Sequence, residues 1–115
     1  MTYLEIFFLI QLGVQILHSL EELTQGFHKN NFLFPMSFKT FLSFEILFTI
    51  LIMSIFFLPI NMLREILMHI FLILMFANGI WHIIWARVVK RYVPGLFTAP
   101  LHLIVFLVFY FFKFL

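Results

Sequence analysis

Four long apolar runs, parted by short polar breaks, constrain this chain more than any other feature. They cover about residues 3–23, 38–58, 62–88 and 97–115. The hydrocarbon of a bilayer is about 30 Å thick and takes roughly 20 residues of helix to cross. Backbone amides find no water there, so each run must satisfy its own hydrogen bonds, which a helix does. Breaks this short make consecutive helices antiparallel. The expected fold is all-α: one multi-pass domain over residues 1–115, a transmembrane antiparallel four-helix bundle in the cell membrane.

Composition narrows the function classes. With 64% hydrophobic and 10% charged residues, the chain has more apolar surface than a domain of this size can bury, which excludes a water-soluble enzyme. A net charge of +2, thinly spread, excludes nucleic acid as a partner and leaves membrane lipids. The chain has no cysteine, so disulfides and thiolate sites are out, and metal ligands must be histidine or carboxylate. The first run starts on acidic Glu5, without a basic leader or a small-x-small cleavage site, and is expected to be retained as a helix. Gly26, Asn30, Asn31 and Pro35 mark the first break as a turn or interfacial loop, and Pro59 and Asn61 mark the second.

Four crossings place both termini on one side. Lys29, Lys39, Arg87, Lys90 and Arg91 then share the face of the first and third loops, against Arg64 and Lys113 on the other. The excess makes those loops cytoplasmic and the termini external.

Depth is the next constraint, because a charge at mid-bilayer costs about 2.5–3.5 kcal/mol or more and needs a reason to be there. Counting a rise of about 1.5 Å per residue from the cytoplasmic ends, His18 and His82 lie roughly 8 Å deep, Glu45 about 9 Å and Asn78 about 14 Å. His102 falls in the same layer. Every helix thus sends a polar group into one slab. His18 with Glu21 and Glu22, and Asn78 with His82, have the three- and four-residue spacings that share a helix face. Adjacent Glu21 and Glu22 point about 100° apart, and Glu22 is expected to face inward with His18.

Imidazoles and carboxylates from facing helices suit zinc or another divalent transition metal with an open position for water. In that arrangement His18, Glu22 and His82 hold the metal, Glu21 is the second carboxylate acting as general base, and Asn78 orients a ligand or polarises a carbonyl. Glu45 and His102 are further candidates on depth alone. The spacing matches neither His-Glu-x-x-His nor the Glu-x-x-His pairs of di-iron bundles.

Three motifs occur in order: His18-Ser-Leu-Glu21-Glu22, Asn78-Gly-Ile-Trp-His82, and Tyr92-Val-Pro94-Gly95 running on to Thr98. Together they resemble the HXXEE-motif family of small bacterial integral membrane proteins, whose signature would fall on His18, Glu21, Glu22, Asn78, His82, Pro94 and Gly95. The resemblance implies a site on these residues and supplies no substrate. Pro94-Gly95 suits a tight turn into the fourth span, or a lid over the slab with the Thr98 hydroxyl beside it.

The expected function is membrane-embedded, metal-assisted hydrolysis of a lipid-like substrate reached from the cytoplasmic leaflet. Two rivals are a proton- or metal-ion-coupled transporter, for which His69 and Glu65 would supply the external half, and a non-catalytic assembly subunit. In the last, the polar slab only fixes helix register, at about 0.6 kcal/mol per interhelical hydrogen bond. His69 otherwise reads as surface or packing, and His28 as a solvated loop residue.

Overall fold

In the computed structural model the four runs form α1 (Tyr3–Thr24), α2 (Phe38–Phe56), α3 (Met62–Val89) and α4 (Ala99–Phe114). The residues described are 1–29 and 35–114, without the side chains of 113 and 114. Asn30, Asn31 and the Lys113 side chain, used above for the loop and the charge count, lie outside them.

The polar breaks supply the helix starts. Thr2 and Glu5 form a reciprocal capping box at α1, where the Thr2 hydroxyl accepts from Glu5 N–H at 3.2 Å and Thr2 N–H donates to the Glu5 carboxylate at 3.1 Å. Ser37 and Asn61 accept from Thr40 N–H and Arg64 N–H at 3.1 and 3.0 Å to start α2 and α3. α3 stops at Lys90, which turns into the left-handed region at φ 57°. The fourth run was expected to start at 97. Its helix starts at Ala99, just after Phe97 and Thr98, whose N–H groups Glu21 of α1 accepts.

α1 and α3 touch each other and both remaining helices, while among the described residues α2 and α4 do not meet. Length sorts the core into two layers. Phe8, Leu12, Ile52, Ile55, Met68, Phe71 and Met75 pack the half toward the chain's start. The other half holds buried His18, Glu22, Glu45, His82 and His102. On α3 and α4 the backbones approach closely at Gly79, where an added Cβ would sit 2.7 Å from the Ala99 carbonyl oxygen.

Arg64 closes the apolar half. It is buried, donates to Glu5 at 3.1 Å and to the Phe56 carbonyl at 2.9 Å, and lies over the Phe56 ring. It ties the end of α2 and the starts of α1 and α3. His69 is half-buried and meets the Phe109 ring edge-on. His28, expected in solvent, is also half-buried, edge-on to Phe38, and its carbonyl accepts from Met36 N–H at 2.9 Å.

Three helices, α1 to α3, are long and apolar enough to cross a membrane. α4, with 16 residues, spans about 24 Å, a little less than the hydrocarbon. The outward faces carry exposed Leu47, Leu51, Ile73, Leu74 and Leu107, a surface suited to lipid.

Candidate functional site

α1 carries Gln11, Gln15, His18, Ser19 and Glu22 at steps that keep them on one stripe, and all five are buried. α3 brings His82 to the same place. The Nε2 atoms of His18 and His82 are 3.1 Å apart. The Glu22 carboxylate lies beside both, at 3.6 Å from His18 Nε2 and 3.4 Å from His82 Nε2. One ligand atom from each of the three residues therefore falls within 4.8 Å of the others. Ligands at 2.0–2.2 Å around a tetrahedral ion stand about 3.3 Å apart, so small side-chain adjustments suffice for these three to share one. Two neutral imidazoles and a carboxylate are also the right donors for a first-row divalent metal. The cluster could hold such an ion.

The tautomer of His18 follows from its other neighbour. Thr98 Oγ1 donates to Glu21 Oε1 at 2.8 Å and lies 2.6 Å from His18 Nδ1. A hydroxyl has one hydrogen, and its other acceptor within reach, the Gly95 carbonyl at 3.3 Å, also only accepts. Nδ1 of His18 must then be the donor to Thr98, and Nε2 presents a lone pair to His82 and Glu22.

Glu21 points the other way. Its two oxygens accept from Tyr92 Oη at 2.5 Å, from the Gly95, Phe97 and Thr98 N–H groups at 3.0, 3.1 and 2.9 Å, and from the Thr98 hydroxyl. A carboxylate from α1 thereby serves as the N-terminal cap of α4, where the free N–H groups and the helix dipole both favour it. Burial, and then the adjoining Glu21 carboxylate, push the Tyr92 hydroxyl well above its ordinary range. Pro94 and Gly95 are buried as well. Gly95 has φ +99°, and a Cβ there would stand 2.6 Å from both imidazole Cε1 atoms. The turn rests directly on the histidine pair with no room for a side chain.

His102 is fully buried. Its Nδ1 is 2.8 Å from Gln11 Oε1, and Gln11 Nε2 returns to the His102 carbonyl at 3.2 Å. The amide oxygen can only accept, so Nδ1 carries the hydrogen and the buried Nε2 is left without a partner. Its ring meets that of His18 at 5.0 Å between centroids. Glu45, from α2, is buried and accepts from Ser19 Oγ, which accepts in turn from Gln15 Nε2 at 3.3 Å. Beside these groups is a cavity of about 800 Å³ between α2 and α3, with α1 as its floor. Glu22, Glu45, His82 and Asn78 line it together with Phe41, Phe44, Phe48, Met75 and Trp81.

A family model described as a protein of unknown function with HXXEE motif matches residues 9–110. The chain belongs to that family. No curated protein and no solved structure matches it. Within the HXXEE motif the three named residues divide their work: His18 and Glu22 turn to the cluster, and Glu21 turns to the loop after α3. Gln11 and Gln15 escaped the sequence reading, although their four-residue spacing, continued three residues on by His18, was a visible polar stripe in an apolar helix. Ser19 and Tyr92 carried no such signal, since each matters only through a partner on another element.

Proposed function

We propose that this HXXEE-motif protein is a membrane-embedded, metal-dependent hydrolase that cleaves an ester or amide in a lipid-like substrate. One observation carries the reading: two imidazole Nε2 atoms and a carboxylate converge at the wall of a large, mostly apolar cavity between two helices. His18, Glu22 and His82 would hold zinc or another divalent transition metal, which would supply Lewis acidity and a water nucleophile near neutral pH.

The chain's own groups complete the step. Glu45 lines the cavity with one oxygen held by Ser19, and we assign it the general base that the sequence reading gave to Glu21, whose lone pairs are engaged by the loop. Glu45 accepts a proton from water as the water oxygen bonds to the acyl carbon, and Asn78 donates to the carbonyl oxygen. The bond from acyl carbon to the leaving oxygen or nitrogen then breaks, the proton passes to that atom, and a carboxylic acid and an alcohol or amine leave. Glu21 and Thr98 position His18.

The cationic side chains support a cytoplasmic site. Lys29, Lys39, Arg87, Lys90 and Arg91 are exposed at the end of the bundle nearest the cluster, whereas among the described side chains the opposite end carries Arg64, and this excess of Lys and Arg favours the cytoplasm for the cluster's end. Transport gains less support, because the Phe8, Met68 and Phe71 packing follows the polar layer along the bundle axis.

The test is reconstitution in vesicles containing a chromogenic long-chain acyl ester, with protein stripped of metal and then given zinc. We expect hydrolysis that depends on zinc, is lost in His82→Ala, and falls about 100-fold or more in Glu45→Gln. Zinc-loaded, folded protein that hydrolyses no faster than protein-free vesicles would overturn the reading.

A further inference from the structure

We infer that the cavity between α2 and α3 binds one molecule of a single-chain, non-anionic lipid whose head group carries hydroxyls, an acyl ester or amide of a small polyol or amino alcohol. The inference rests on the membrane setting of the proposed function and gives its substrate class, yet it concerns binding and stands apart from hydrolysis.

Hydrogen-bond accounting at the polar end of the cavity gives the head group. Gln15 spends an amide N–H on Ser19, and Ser19 spends its only hydrogen on Glu45. Gln15 keeps a second N–H, but acceptors without a donor remain. Gln15 Oε1 is among them: the residue is 4% exposed, it lines the cavity, and this oxygen has no partner. A buried acceptor without a donor is costly, and a ligand hydroxyl supplies the missing hydrogen. An ester lacking hydroxyls would leave Gln15 as it is.

Charge excludes anionic heads. Among the described residues no lysine or arginine lines the cavity, whereas Glu22 and Glu45 both do. Lys29 and Lys39 are exposed outside it. A phosphate or sulfate would enter a low-dielectric space beside carboxylates, without the guanidinium or ammonium that such groups require.

Volume and shape give the tail. At about 30 Å³ per water-sized group, the space holds roughly 27 non-hydrogen atoms, which matches one long chain with a small head. Phe41, Phe44 and Phe48, spaced by three and four residues on α2, make a continuous apolar wall facing Met75 of α3. A chain lying along that wall reaches it sideways from the hydrocarbon.

The experiment is competitive retention, read by native mass spectrometry of detergent-solubilised, metal-free protein offered equal amounts of 1-monopalmitoylglycerol, methyl palmitate and hexadecyl phosphate. We expect one monopalmitoylglycerol per chain, retained about tenfold over each competitor, the upper range for one hydrogen bond. Gln15→Leu should bring monopalmitoylglycerol level with methyl palmitate, and Met75→Trp, with native helix content, should release all three. Equal retention of the three by the native chain, or preference for the phosphate, overturns the inference, and the native ranking decides this even if a variant does not fold. Selective retention without hydrolysis in the vesicle assay would remove the enzymatic reading and leave this one intact.

Discussion

Thr98 is the smallest group on which the cluster depends. Its hydroxyl joins Glu21 to His18 Nδ1 and so keeps the Nε2 lone pair aimed at His82 and Glu22. Partners of this kind typically matter 10- to 100-fold for metal affinity. We expect Thr98→Val to weaken zinc binding by about tenfold or more and to change the His18 tautomer seen in nitrogen-15 spectra, with Thr98→Ser restoring both. Unchanged affinity and spectrum in Thr98→Val would contradict the tautomer argument. Tyr92 offers a second check. Burial first, and then the bond to Glu21, raise its hydroxyl pKa, so the neutral, bonded form keeps its contribution to stability below the ordinary tyrosine value of 10.0 and loses it as pH climbs through the higher folded value. Alkaline titration of tyrosine absorbance should show a late step that Tyr92→Phe removes. At this scale the sequence was legible where one helix is enough: the four-residue spacing sets His18 and Glu22 on one face. It gave Glu21 the role of general base and did not foresee the loop it holds, because its five hydrogen-bond donors come from residues 71 to 77 positions away.

Among the elements, α4 is held less by its own sequence than by its neighbours. Glu21 caps its first turn, Gln11 clasps its His102, and Gly79 lets its backbone lie against α3. Replacing Glu21 by Gln removes the charge that favours those N–H groups, so hydrogen exchange at Gly95, Phe97 and Thr98 should accelerate while the amides in the middle of α3 keep their protection. Equal protection in the variant would mean that the loop needs no clamp. Run length and turn residues made all four helices readable, since hydrocarbon permits few alternatives. The start of α4 was not readable. Phe97 and Thr98 continue the run, but their N–H groups go to the returning carboxylate of Glu21, and Pro100, which has no N–H to give, suits the first turn of a helix that begins at Ala99.

For the whole molecule, the division into an apolar half tied by Arg64 and a polar half roofed by the Pro94–Gly95 turn places the histidine and carboxylate cluster at one end. Depth counting anticipated that layer because ionisable groups in hydrocarbon have few places to go. The cavity was beyond its reach, being a property of how α2 and α3 pack. With no native cysteine, single cysteines can report orientation. Phe97→Cys should resist a membrane-impermeant thiol reagent added to intact cells, and Ile60→Cys should react; the reverse pattern would place the site on the external side. The most direct measurement is a zinc titration of the folded, detergent-solubilised chain with metal content counted per chain. We expect one ion per chain, lost in His18→Ala and in His82→Ala and retained in His102→Ala. A folded chain that binds no divalent ion, or one whose ion survives the loss of both His18 and His82, would contradict a metal centre at this cluster.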